Sequence, residues 1–250
     1  MYQPRTYRHL VRSPGLISYE VIEQETDLLI STVSNLEREA RVLARELRHD
    51  LANYISLAPF FATSLEPIDV PNDAPSIVQE MAAAAKVAGV GPMAAVAGAL
   101  AKSVGEALSR LSPEVIVENG GDIYLQSQQR RLVAIWAGTS PLSGTLGLEI
   151  HPEDTPLGIC TSSATIGPSL SFGQTDATMV IATSAALADA AATAIGNVVG
   201  SAEEINRGLT IAQGIPGIKG AVIIVGDKLG VWGDLHLCAL PGIPNPQPVP

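Results

Sequence analysis

Apolar residues recur at helical spacing between positions 36 and 54: Leu36, Leu43, Leu47, Leu51 and Tyr54, with Ala40 filling the row. That period predicts an amphipathic helix. Ser34-Asn35-Leu36-Glu37 has the spacing of a capping box and marks its start. Glu37, Arg38, Arg41, Arg45 and Arg48 fall on the other face, which is expected to be solvated. Ahead of this helix, residues 6–12 and 16–23 read as a strand pair around Ser13-Pro14-Gly15, followed by a strand over 27–32. Residues 57–75 carry Pro59, Pro67, Pro71 and Pro75 and read as a connection with one extended piece at 61–65. A subdomain boundary is expected there.

Helices of small residues are expected at 76–89 and 92–111, with Pro92 suited to the first turn of the second. Lys102, Glu106 and Arg110 form that helix's solvent stripe. After Pro113 the period drops to two, and strands are expected at 114–118, 123–127, 131–137 and 144–150. A further strand ends in Thr161-Ser162-Ser163, and another covers 177–183 and feeds an Ala-rich helix over 184–199. In that helix Leu187, Ala191, Ile195 and Val198 read as core. Ser201 and Glu204 form a second capping box before a short helix to about Gln213, and 220–226 with 230–239 read as a last hairpin around Asp227-Lys228. The proline-rich tail, 241–250, is expected to be extended. Helices grouped in the middle and strands at both ends predict an α+β fold with mainly antiparallel sheet, one domain over 1–240.

Composition narrows the function. A chain of 250 residues, 46% hydrophobic, can build a sizeable core. A net charge of −10 excludes a basic nucleic-acid face and attraction to an anionic membrane surface, and 4% aromatics disfavour a base-stacking platform. Cys160 and Cys238 lie in apolar runs and read as reduced, buried thiols. No apolar leader segment opens the sequence, and the apolar run 81–101 is interrupted by Lys86 and Gly91-Pro92, so it reads as two helices and not as a membrane span. A cytoplasmic location is expected.

Three stretches carry candidate chemistry. Asp189, Thr193 and Asn197 recur every four residues and share one face of the Ala-rich helix. A carboxylate and a hydroxyl one turn apart can hold a hard cation, which takes oxygen ligands; an exposed polar stripe has the same pattern. Asn119-Gly120-Gly121-Asp122 is a hairpin-turn sequence whose glycines can also offer backbone N–H groups to a phosphate. Gly98-Ala99-Leu100-Ala101-Lys102 bares a stretch of helix backbone, open to close packing or to a ligand. The four histidines are scattered, and no G-x-S-x-G elbow, Walker or dinucleotide glycine pattern occurs. His151-Pro152-Glu153-Asp154 has metal-capable residue types but no second ligand cluster nearby, and reads as a loop of solvated acids.

Gly98-Ala99-Leu100-Ala101-Lys102, Asn119-Gly120-Gly121-Asp122, Thr161-Ser162-Ser163 and Ala188-Asp189-Ala190-Ala191-Ala192-Thr193-Ala194, in this order over roughly residues 90–200, resemble the ApbE-like superfamily. Its best-known members are Mg2+-dependent transferases that move FMN from FAD onto a protein threonine. The resemblance implies an ApbE-like α+β fold and a small-molecule ligand, a flavin (FAD or FMN) or another phosphate-bearing compound. It implies Mg2+ held by Asp189, Thr193 and the Ala101 carbonyl, with Asn119, Gly120, Gly121, Asp122, Thr161, Ser162 and Ser163 around the ligand. The transferases carry a His-Ile-x-Asp-Pro segment between the last two motifs; here that interval reads ATIGPSLSFGQTDA, without histidine. The chain is therefore similar to the branch that lacks this segment. A metal-assisted ligand-binding protein, a non-catalytic module of the same fold and a flavin transferase are the three functions the resemblance leaves.

Overall fold

The computed structural model describes Arg5, Arg8 and residues 13–164 and 171–240. The expected strand over 6–12 and the proline-rich tail fall outside the described residues, apart from Arg8, which lies in a 3-10 turn. Among the described residues there are eleven strands: β1 (Ile17–Glu23), β2 (Thr26–Thr32), β3 (Val115–Asn119), β4 (Asp122–Gln126), β5 (Arg131–Ala134), β6 (Leu146–Ile150), β7 (Leu157–Ser162), β8 (Ala177–Ala182), β9 (Ile218–Val225), β10 (Lys228–Gly233) and β11 (His236–Ala239). The helices are α1 (Glu37–Leu57), α2 (Phe60–Thr63), α3 (Ser76–Ala88), α4 (Val96–Leu108), α5 (Ala185–Asn197) and α6 (Ile205–Gly214).

An eight-stranded sheet runs β1-β2-β3-β4-β7-β8-β9-β10, every neighbour antiparallel, and a three-stranded sheet runs β11-β6-β5. The helices cover one face of the large sheet and the small sheet covers the other. Strand alternation makes this possible. In β8, Val180 and Ala182 face helical residues such as Ala185 and Ile195, while Ala177, Met179 and Ile181 meet Leu148 and Ile150 of β6. All six β8 residues are buried in consequence. The expected α+β architecture with mainly antiparallel sheet is the one observed.

Small residues set how closely the layers approach. A Cβ on Gly158 of β7 would run into the backbone of Ser184 and Ala185, and one on Gly98 of α4 would lie 2.7 Å from the Ala185 carbonyl carbon. Thus α5 rests its first turn against β7 and α4 with no side chain between. Two glycine-sized gaps, 60 residues apart in sequence, place one helix start.

Several expectations change. Residues 17–23 pair with β2 around Gln24-Glu25, and Gln24 takes the left-handed conformation at φ +55°. The extended piece at 61–65 is instead the end of α2, with Phe61 buried against Tyr54. At the start of α1 the Glu37 N–H donates to Asn35 Oδ1 at 2.9 Å, so Asn35, and not the Ser34–Glu37 box, satisfies it. At the second box Glu204 reaches back to the Gly200 N–H at 2.7 Å, and Ser201 makes no side-chain cap. The arginine face of α1 reaches the β1–β2 hairpin: Arg45 contacts Glu23, and Arg48 contacts Thr26 and Glu25. Lys102 sits between Glu80 at 3.0 Å and Glu106 at 3.4 Å, partly buried and not on a free stripe. The run 230–239 divides, β10 staying in the large sheet and β11 crossing to β6. No single described helix is long and apolar enough to cross a membrane, and the stretches 76–88 and 92–108 bend by 103° at their junction.

Candidate functional site

The β3–β4 hairpin closes with Asn119 opposite Asp122 across Gly120 and Gly121, whose φ values of +71° and +104° suit glycine. Val115 and Val117 face the helices, so the period of two puts Asn119 on that side and Glu118 on the other. Asn119 donates from Nδ2 to the Ala97 carbonyl at 3.2 Å, which ties the turn to the start of α4. The Gly121 N–H donates to Glu118 Oε1 at 2.9 Å. That donor is therefore committed within the hairpin and not offered outward to an anion.

Asp189 arrives from α5. Its Oδ2 accepts the Gly98 N–H at 2.9 Å, in the first turn of α4, where N–H groups lack a partner inside the helix. Burial raises the Asp189 pKa, the Gly98 and Ala97 amides oppose the rise, and the outcome is about 7. Asp122 is buried, and its carboxyl is pushed well above the usual range by burial first, then by the charges of Asp189 and Glu118; the Cys160 thiol and the Thr161 amide act the other way. Cys160, at the centre of β7, is held up as a thiol by burial and by both carboxyls. Its Sγ–H also reaches the Ala185 carbonyl at 3.3 Å.

The structure thus brings together the Asn119–Asp122 turn, Asp189 and the opening of α4, with Cys160 beneath them. Thr161, Ser162 and Ser163 end β7 beside the turn, partly buried; a Cβ on Gly121 would be 3.9 Å from the Thr161 carbonyl oxygen. Ala101 is fully buried, one turn deeper in α4 than Gly98, and Thr193 is partly buried, one turn beyond Asp189 on α5. The third member of the polar row, Asn197, accepts the Phe172 N–H on Oδ1 at 2.9 Å, so it anchors the loop between β7 and β8. Residues 165–170 of that loop lie outside the described residues. At the other end of α5, Ser184 donates to Glu80 at 3.0 Å, and Glu80 holds Lys102.

The sequence did not assign Cys160 or Glu118 to the site; Cys160 read there only as a buried thiol. The period of two in β7 and β3 assigns each to a sheet face, but only pairing β4 with β7 puts Cys160 beside Asp122. Residues 152–154 form a single 3-10 turn, with His151 paired to Glu149 at 3.1 Å and stacked edge-on against His236. Among the described residues, no group of three or more His, Cys, Asp and Glu side chains has metal-holding geometry.

This layered antiparallel sheet, with the turn, the strand end and α5 assembled at one site, defines an ApbE-like α+β protein. A protein-family model described as "AbpE bacteria" matches residues 8–213, and the chain belongs to that family within the ApbE-like superfamily. It is similar to a UPF0280 protein of Methanocella arvoryzae, 47% identical over 190 residues that cover 76% of this chain and 77% of the relative. A UPF0280 protein of Methanocaldococcus jannaschii is 41% identical over 221 residues, covering 86% and 90%. Among solved structures, the apo flavinyl transferase ApbE of Pseudomonas stutzeri superposes with a TM-score of 0.56 at 14% identity, covering 90% of this chain and 94% of that one. The apbe protein of Thermotoga maritima gives 0.53 at 11%, covering 86% and 96%. At these identities the structural likeness establishes the fold.

Proposed function

We propose that this chain binds a phosphate-bearing small molecule, a flavin nucleotide first among them, together with Mg2+ at Asp189. The observation that carries this reading is the meeting of Asp122 and Asp189 at one turn, with no Lys or Arg among the described residues paired to either. Two acids placed so close destabilise each other unless they share a proton or a cation. Mg2+ in this position would neutralise charge on a phosphate and act as a Lewis acid. Asp189 would hold the ion, with Thr193 and the Ala101 carbonyl as further oxygen donors. Asn119 and Asp122 would orient the ligand from the turn, and Thr161, Ser162 and Ser163 would border it.

A second reading rests on the same carboxyls. Burial favours their protonated forms, and an acid pair that keeps a proton is a structural joint between β4 and α5 that needs no metal. Calorimetric titration with FMN, FAD and ADP, each with and without Mg2+, separates the two. Saturable binding that needs Mg2+ supports the ligand site; heats equal to dilution for all three, with and without Mg2+, leave the non-catalytic module.

Flavin transfer itself is not expected. With FAD, Mg2+ and the acceptor of a genuine flavin transferase, intact-mass analysis should show the acceptor unmodified, since the 164–177 interval contains no histidine. An acceptor heavier by one FMN residue would refute this.

A further inference from the structure

We propose that Arg8 is a positioning residue for this site: it holds Glu118, and Glu118 holds the glycine turn that presents Asn119 and Asp122. The inference rests on the ligand-binding reading above and adds a residue that touches no ligand.

A Gly-Gly turn has no side chains to fix it, and glycine populates left-handed and right-handed backbone about equally. Its placement therefore depends on what grips it from outside. On the helix side the grip is Asn119 on the Ala97 carbonyl. On the opposite face it is Glu118 Oε1, which takes the Gly121 N–H at 2.9 Å. The other oxygen, Glu118 Oε2, accepts Arg8 Nε at 2.7 Å. Arg8 also donates Nη1 to Asp27 Oδ1 at 2.6 Å and Nη2 to the Asp27 carbonyl at 2.9 Å. The Arg8 side chain is 7% exposed, and those of Asp27 and Glu118 are 4% and 9% exposed. One guanidinium thus bridges two buried acids, a task its planar fork suits.

Arg5 backs this arrangement without replacing it. It donates to the Asp27 carbonyl and lies against Gly120, but its ion-pair distances to Asp27 and Glu118 are 3.6 and 3.9 Å. Without Arg8, the buried Glu118 carboxylate loses a charged hydrogen bond of 2.7 Å and must move toward Arg5 or solvent, or take a proton. Either change weakens its hold on Gly121 and frees the turn. From Gly121 the linkage continues through the next residue, Asp122, to the Asp122–Asp189 pair.

The hairpin supplies its own control. At the opposite end, Arg131 bridges Glu114 and Ser127 from an equally buried position, 7% exposed, without touching the turn. Arg8→Ala breaks two buried pairs, to Asp27 and Glu118, and Arg131→Ala breaks one, to Glu114, so both are expected to lose stability and Arg8→Ala the more. They should differ at the site. In Arg8→Ala, hydrogen exchange of the Gly121 amide is expected to quicken about tenfold or more relative to the Val117 and Tyr124 amides, against no more than about twofold in Arg131→Ala. The dissociation constant of FMN or ADP in the presence of Mg2+ should rise about 10-fold or more in Arg8→Ala, about the loss that misplacing site residues by a mutation outside the site can cause. In Arg131→Ala it should change by about twofold at most. Should Arg8→Ala fail to fold, Arg8→Lys keeps the charge and loses the fork, and a rise of about threefold or more is expected. Unchanged Gly121 exchange in the Arg8 variant, or an equal loss of affinity in both, overturns the proposal. If no probe binds the wild-type protein, the ligand reading fails, and the exchange comparison alone upholds or overturns the Arg8–Glu118–Gly121 linkage.

Discussion

Gly98→Ala is expected to lower the melting midpoint by about 6–12 °C, a large loss for a single methyl group. The added Cβ would lie 2.7 Å from the Ala185 carbonyl carbon and 2.8 Å from Asp189 Cβ, and closer still to the Ala185 carbonyl oxygen. Neither neighbour is a flexible side-chain tip, so α4 and α5 must separate. Overpacking of this kind costs about 3 kcal/mol, and each kcal/mol is worth about 2–4 °C in a chain of this length. Separation would also stretch the Gly98 N–H bond to Asp189, so ligand binding should weaken along with stability. Gly214→Ala is the comparison: a Cβ at the end of α6 meets nothing within 4 Å. It should leave the midpoint level or slightly higher, because alanine favours helix by about 1 kcal/mol over glycine. A Gly98→Ala protein melting within 2 °C of wild type, about the effect of 1 kcal/mol or less, would show that the two helices are not in backbone contact.

Asp189→Asn is expected to do the opposite to the ligand-free protein and to abolish its response to Mg2+. The Asp189 pKa is raised from 3.8 to about 7 in the fold. Between those values the folded chain keeps a proton that the unfolded chain has released, so stability falls as pH rises from about 4 to about 7 and levels off above. The full shift corresponds to about 4 kcal/mol at 1.36 kcal/mol per pH unit. Asp189 retains some solvent contact, and screening halves that to about 2 kcal/mol. Asparagine keeps an oxygen for the Gly98 N–H and carries no charge, so it should recover that amount above pH 7, a gain of about 4–8 °C, and flatten the fall between pH 4 and 7. With ligand at 100 times its dissociation constant, binding adds about 2.7 kcal/mol. The wild-type protein with Mg2+ and FMN should therefore gain about 5–11 °C, most of it absent in the variant, which lacks the charge a hard cation requires. Melts at pH 4.5, 6 and 8, with and without Mg2+ and FMN, measure both effects. A variant less stable than wild type at pH 8 that still responds to Mg2+ would make Asp189 a structural acceptor only.

Much of the molecule was legible without coordinates because the relevant physics is local. The Ala-rich helix over 184–199 is α5, the small-residue helix over 76–89 is α3 with Gly89 in its left-handed cap, and Asn-Gly-Gly-Asp closes the hairpin that its residue types demand. Period-two runs after Pro113 became strands, and the order of motifs led to the superfamily. Errors came where local signals compete. The Ser34 box had the right spacing, yet Asn35 lay nearer to the Glu37 amide. The run 230–239 looks like one strand, but β10 and β11 join different sheets, a choice set by what covers each face.

What the sequence by itself determined is the set of elements and the chemistry each one carries, since helix period, turn residues and the Asp-x-x-x-Thr row need only neighbours along the chain. Which of those chemistries meet was decided by the tertiary structure. Asp122 and Asp189 are 67 positions apart, and Arg8 and Glu118 are 110 apart. They come together because β2 pairs with β3 across the intervening helices and because Gly98 and Gly158 let α5 lie directly on α4 and β7. Their charge states follow from that meeting: burial and proximity raise the two carboxyls, and neither effect exists for an isolated stretch of chain.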